Sequence, residues 1–201
     1  RCASDEIATV HAISSGELRL SVLDHRYNLC SYLAHPCDRR DPVRTTPAEK
    51  IREYRSRGWW DDTRIHDMFD AHARAFPERT ALVDAPNRPD LLGTPPLRLS
   101  WRETADLADG FAVTLQALGL GRDDLLVAQL PNIAEYPALY VAAMRLGIVV
   151  SPVPMQFRRH ELEQIVRLTN AKAILTIDQL KGADQIGIAL TLSADLAKEG
   201  I

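Results

Sequence analysis

Arg158 and Arg159 stand where a short apolar run gives way to a segment with helical spacing, and their side chains are the right types to hold an anion. Helix N-termini present unpaired backbone donors, and open α/β sheets bind ligands beyond the carboxyl ends of their strands. The pair is the chain's candidate anion site, weighed against two ordinary surface arginines. Other constellations fail on spacing. His160-Glu161 begins like a zinc-binding HExxH helix, but position 164 is Gln, which leaves a solvated helix start. Gly119 and Gly121 resemble the opening of GxGxxG, yet position 124 is Asp and the pair follows a helical segment. That is a helix cap, not a dinucleotide site. Cys30, His35 and Cys37, with His25 upstream, are metal-ligating types without the paired CxxC spacing of closed zinc sites. Ser14-Ser15-Gly16 is not a nucleophile elbow, and no GxxxxGK[ST] phosphate loop occurs. Neither a catalytic nor a metal-ligating residue is assigned.

The elements that position the arginines are legible. Leu125 to Leu130, Ile148 to Val153 and Ala173 to Ile177 are rich in Val, Ile and Leu without polar alternation, as expected of strands covered on both faces. Helix-patterned segments separate them, with Tyr136, Tyr140, Ala143 and Met144 on one inward stripe and Leu162, Ile165 and Val166 on the next. Helical crossovers imply a parallel sheet with right-handed connections. Asn132 and Glu135 have capping-box spacing, but Pro137 lacks the donor for a regular first turn, so the helix either starts irregularly or begins nearer Glu135.

Upstream, Thr46, Pro47 and Glu49 make a helix start that Gly58 ends. Trp59 and Trp60 are expected to anchor that segment to the main body. Ile65, Met68, Phe69, Ala73 and Phe76 form an apolar helical stripe. Thr80 to Asp84 and Leu97 to Trp101 read as two short strands, joined by a surface loop rich in Pro and Gly. Ser100 and Glu103 form a capping box for a helix presenting Leu107, Phe111, Leu115 and Leu118, with Gly119 as its left-handed stop. A last amphipathic helix runs from Ala183 to Lys198. The fold class is α/β: a parallel, doubly wound sheet subdomain preceded by a β-hairpin and helices.

Composition narrows the function classes. Across 201 residues, 24 basic side chains are interspersed with 27 acidic ones for a net charge of -3, which gives no nucleic-acid footprint. The longest apolar stretch, around Ala138 to Val150, is interrupted by Arg145 and Gly147; it falls short of the ~20 residues that span a bilayer. No transmembrane segment is expected, and a cytoplasmic location is the default. Residues 1 to 42 lack sustained periodicity and read as a poorly ordered leader, with 43 to 201 as a partial α/β subdomain. The first methionine is Met68, inside a helical pattern, so the expectation is part of a longer product.

Several phrases in order resemble the N-terminal part of the adenylate-forming (AMP-dependent) superfamily, the acyl-CoA synthetases and aryl-acid AMP ligases. They are YRSRGWW at 54–60, IHDMFDAHARAFPERTALVD at 65–84, LSWRE at 99–103, QLPNIAEY at 129–136, MRLGIVVSPVP at 144–154 and ELEQIVRLTNAKAIL at 161–175. The resemblance implies a parent enzyme in which a carboxylate attacks the α-phosphate of ATP, with Mg, and coenzyme A then takes the acyl group. The family's Ser/Thr/Gly-rich loop ending in Pro-Lys-Gly and its C-terminal domain with the catalytic lysine lie beyond the matched region. The resemblance therefore implies an N-terminal fragment of an acyl-CoA synthetase, inactive alone and holding no cofactor itself. Its carboxylic-acid substrate would be met through the missing remainder, and a homodimer of the parent stays open. Arg158 and Arg159 become candidate CoA-binding residues. The alternatives are a fragment of an aryl-acid AMP ligase and a non-catalytic truncated binding or dimerisation module.

Overall fold

The computed structural model describes residues 8–12 and 46–199. Strand β1, Ala8–Ala12, falls within the span read as a leader. Helix α1, Ala48–Ser56, follows Pro47 and stops before Gly58 at φ +69°, a left-handed turn that glycine makes without strain. Helix α2, Ile65–Ala75, precedes strand β2, Thr80–Val83. The Pro/Gly-rich connection that follows is not wholly surface, because it contains helix α3, Arg88–Leu92, and buries Arg88. Strand β3, Arg98–Ser100, closes an antiparallel pair with β2. Helix α4, Trp101–Ala117, starts at the expected capping box: the Glu103 N–H donates to Ser100 Oγ, and the Ser100 N–H donates to Glu103 Oε2 at 2.7 Å. Gly119, at φ +77°, follows its end.

The central unit then runs as strand β4, Leu125–Gln129; helix α5, Glu135–Leu146; strand β5, Val149–Pro152; helix α6, Arg159–Thr169; and strand β6, Ala173–Ile177. A small hairpin of β7, Gln179–Leu180, and β8, Ala183–Asp184, turns through Lys181 and Gly182 at φ +48° and +81°. Two consecutive left-handed residues are what a two-residue hairpin turn requires. Helix α7, Gln185–Lys198, begins two residues later than the sequence pattern suggested, because the hairpin takes Ala183 and Asp184.

All pairings in the main sheet are parallel, and its order is β1-β6-β4-β5. Its two faces are built from alternate residues of the same strands. Leu126, Ala128, Ala173 and Leu175 pack with Phe111 and Leu115 of α4 and with Ala138, Leu139 and Ala142 of α5. Val127 and Ile174 pack with Leu162 and Val166 of α6 and with Ala189, Leu192 and Leu196 of α7. Burying both faces explains the continuous apolar runs.

Two expectations fail upstream. Trp59 and Trp60 do not anchor on the main body; they are 62% and 44% exposed and pack on Tyr54 of α1, with centroids 5.7 and 5.1 Å away. Three neighbouring aromatic rings can cover one another instead of the core. On α2, Phe69 reaches the core and lies 5.4 Å from the Trp101 ring, whereas Ile65, Met68 and Phe76 are exposed.

Candidate functional site

Strand β4 marks a topological switch. The chain leaves its carboxyl end for α5 on one face, while both neighbours, β5 and β6, lead on to α6 and α7 on the other face. Connections diverging from adjacent strands open a crevice at the carboxyl edge, which is where open α/β sheets place ligands. Gln129, Asn132, Glu135 and the 154–158 segment border that edge.

One wall is ionic. Arg88 of α3 donates through Nη1 to Asp84 Oδ2 at 2.6 Å and to Glu135 Oε2 at 2.8 Å, through Nη2 to Glu135 Oε1 at 2.5 Å, and through Nε to Thr94 Oγ1 at 2.9 Å. Asp84 also accepts the Leu97 and Ala134 backbone N–H groups at 2.9 and 2.7 Å. All three charged side chains are buried. Hydrogen bonding to Glu135 pushes the Arg88 guanidinium pKa upward, against the opposing effect of burial. Glu135 is therefore the first residue of α5 and not half of a capping box with Asn132, which is exposed. Sequence reading missed this cluster, since Arg88 sat in an apparent loop and Glu135 lies 47 positions away.

The second wall is the β5–α6 connection. Gln129 closes β4 and donates through Nε2 to the carbonyls of Pro154 and Phe157, both at 3.0 Å. Arg158 precedes α6 and donates through Nη1 to the Met155 and Phe157 carbonyls at 2.9 and 3.1 Å. Its own N–H donates to Glu161 at 2.9 Å, a bond that lowers the Glu161 pKa. Arg159 points elsewhere. It pairs with Asp195 of α7 at 2.9 Å, with Glu163 3.9 Å away. The structure thus separates the two arginines predicted from sequence: the Arg158 side chain bonds carbonyls, with Glu161 nearby, whereas Arg159 is paired with Asp195.

Beyond β6, Leu91, Leu92, Ile177, Asp178, Gln179, Lys181 and Gly182 line an open depression of about 410 Å³. No group of three or more His, Cys, Asp or Glu able to hold a metal occurs among the described residues. Cys2, His25, Cys30, His35 and Cys37 lie outside them. Among the described residues, no helix is long and apolar enough to cross a membrane.

The family model for "AMP-binding enzyme" matches residues 69–199. The chain belongs to the AMP-binding enzyme family. Its match to that family runs from α2 to α7. Relatives in the family include the salicyl-AMP ligase / salicyl-S-ArCP synthetase of Mycobacterium tuberculosis, 30% identical over 149 residues that cover 74% of this chain and 26% of that protein. A 2-hydroxy-7-methoxy-5-methyl-1-naphthoate–CoA ligase of Streptomyces carzinostaticus is also 30% identical, covering 71% of this chain and 24% of the ligase. Among solved structures, apo MbtA of Mycobacterium smegmatis is 28% identical with a TM-score of 0.53, covering 64% of this chain and 23% of that one. The chain spans about a quarter of the length of the curated relatives it matches.

Proposed function

We propose that this chain is the first α/β subdomain of an ATP-dependent ligase that activates a carboxylic acid as its adenylate and passes the acyl group to coenzyme A. The observation that carries the reading is the family match across residues 69–199. The naphthoate–CoA ligase supports the thioester step. The salicyl-AMP ligase favours a second reading, an aryl-acid AMP ligase that hands its adenylate to a carrier protein. Both names point to aromatic 2-hydroxy acids as the first substrates to try.

The chain's own part in this is to wall the crevice. Activating ATP requires positive groups and a magnesium ion around the phosphates, and the family's phosphate loop lies beyond the region of resemblance. On this reading the 201 residues do not form an adenylate by themselves. Arg158 is the residue proposed to meet a phosphate of coenzyme A. Arg159, paired with Asp195, is the weaker of the two candidates.

ATP–pyrophosphate exchange with the 201-residue chain and with the longer gene product, each given salicylate and a fatty acid, tests the proposal. Exchange by the longer product alone, followed by acyl-CoA formation, is expected. Exchange without a thioester would establish the AMP-ligase reading, and a longer product that supports neither would favour a non-catalytic binding module. In an active enzyme, Arg158→Ala should raise KM for coenzyme A and leave pyrophosphate exchange unchanged, while Arg159→Ala moves neither.

A further inference from the structure

Three side-chain oxygens at the carboxyl edge of the sheet are buried without a hydrogen-bond partner: Gln129 Oε1, Thr176 Oγ1 and Gln185 Oε1. All three residues are fully buried. Gln129 and Thr176 are opposite each other in the β4–β6 register, where adjacent strands run about 4.8 Å apart. By alternation they share the face of Val127 and Ile174, beneath α6 and α7. Gln185 is the first residue of α7, and its Nε2 donates to the Met155 carbonyl at 3.4 Å. Gln129 Nε2 donates to the carbonyl of the preceding residue, Pro154, and to that of Phe157. The two amides therefore meet the same short loop, and Thr176 is the register neighbour of Gln129.

The amide orientations are fixed by these bonds. Turning Gln129 over would aim its oxygen at two carbonyl oxygens, and turning Gln185 over would aim its oxygen at a third. What remains is two acceptors and one hydroxyl able to donate, in a place closed to solvent. Buried polar groups cost free energy when unpaired, and buried waters typically make about three hydrogen bonds. We propose that a single structural water is bound here, donating to Gln129 Oε1 and Gln185 Oε1 and accepting from the Thr176 hydroxyl. That water joins the sheet to the 154–158 loop and so helps to hold the segment that carries Arg158.

The test begins with the unmutated 22.4 kDa chain. Water-selective NOE and ROE spectra should show cross-peaks from one long-lived water to the side-chain amide protons of both Gln129 and Gln185. Their absence would overturn the proposal. As a second readout, Thr176→Val should lower the folding equilibrium constant about tenfold, the scale of one stranded buried polar group. In a Gln129→Met background, where the shared water has already lost a partner, the same change should cost less than about threefold. Equal costs in the two backgrounds would also overturn it, and if the variants do not fold the spectra of the unmutated chain decide.

Discussion

Arg88 and Glu135 meet through two nearly parallel hydrogen bonds, at 2.8 and 2.5 Å, and both side chains are buried. The planar guanidinium fork suits two carboxylate oxygens, and Asp84 takes a third bond from the same group at 2.6 Å. Through this contact α3, and with it the connection between β2 and β3, is fixed against the start of α5.

Removing the arginine strands two buried carboxylates. Arg88→Met is therefore expected to cost about 3 to 5 kcal/mol, the scale for breaking a buried ion pair. Urea unfolding would measure it. Arg88→Lys should recover only part of the loss, because an ammonium cannot bond both oxygens of Glu135 in the same plane.

Strands β4, β5 and β6 were legible in the sequence, whereas β1 and the ionic cluster were not. Strands β4, β5 and β6 differ from the predicted runs by a residue at most at either end, because burial on both faces leaves a local signature of unbroken Val, Ile and Leu. Capping boxes and left-handed stops are local as well, which is why Ser100, Glu103 and Gly119 were readable. Arg88 meets Glu135 only once α3 has folded over, and no pattern in either neighbourhood announces the pair. Gln129 offered a weak signal, a polar residue closing an apolar run. Trp59 and Trp60 misled because a large apolar ring predicts burial without saying against what, and here the partner is Tyr54.

Gly147 ends α5 at φ +73°, and an added Cβ there would lie 3.2 Å from Arg122 Cγ. Gly147→Ala should destabilise by about 1 to 2 kcal/mol through left-handed strain. Gly93→Ala, at φ +68° with no atom within 4 Å of the added carbon, isolates the conformational part. Thermal unfolding of both variants should place Gly147→Ala at or below Gly93→Ala.

Glu103 accepts the Ser100 backbone N–H, which holds its carboxyl pKa below the ordinary 4.5. The folded-state value is depressed, so the stabilisation is present above the unfolded value and is lost as pH falls through the folded one. Glu103→Gln should flatten the fall in stability below about pH 4.5. Denaturation midpoints between pH 6 and 3 would show it as converging curves, and parallel curves would contradict the linkage.

Tyr136 is partly buried, and its hydroxyl donates to the Ala128 carbonyl at 3.2 Å. Burial, helped by Tyr140, pushes its pKa from 10 to about 12. The folded value is raised, so this contribution is complete below pH 10 and is lost as pH rises toward 12. Tyr136→Phe should lose less stability than the unmutated chain on moving from pH 9 to 11, measured by chemical denaturation. Equal losses would show that the phenol titrates normally.

Helices α1 and α2 contain no buried residue. Arg145 of α5 holds α2 through Asp70 at 2.5 Å, and Phe69 and His72 rest against Trp101. Elements with little burial open at a lower free energy than the core they rest on. The molecule therefore has two rungs of opening, with 46–76 peeling away while the β4–β6 ladder stays shut. Amide hydrogens of these two helices should exchange well before those of β4 and β6, and a protease should make its first nick between α1 and α2 and leave the crevice intact.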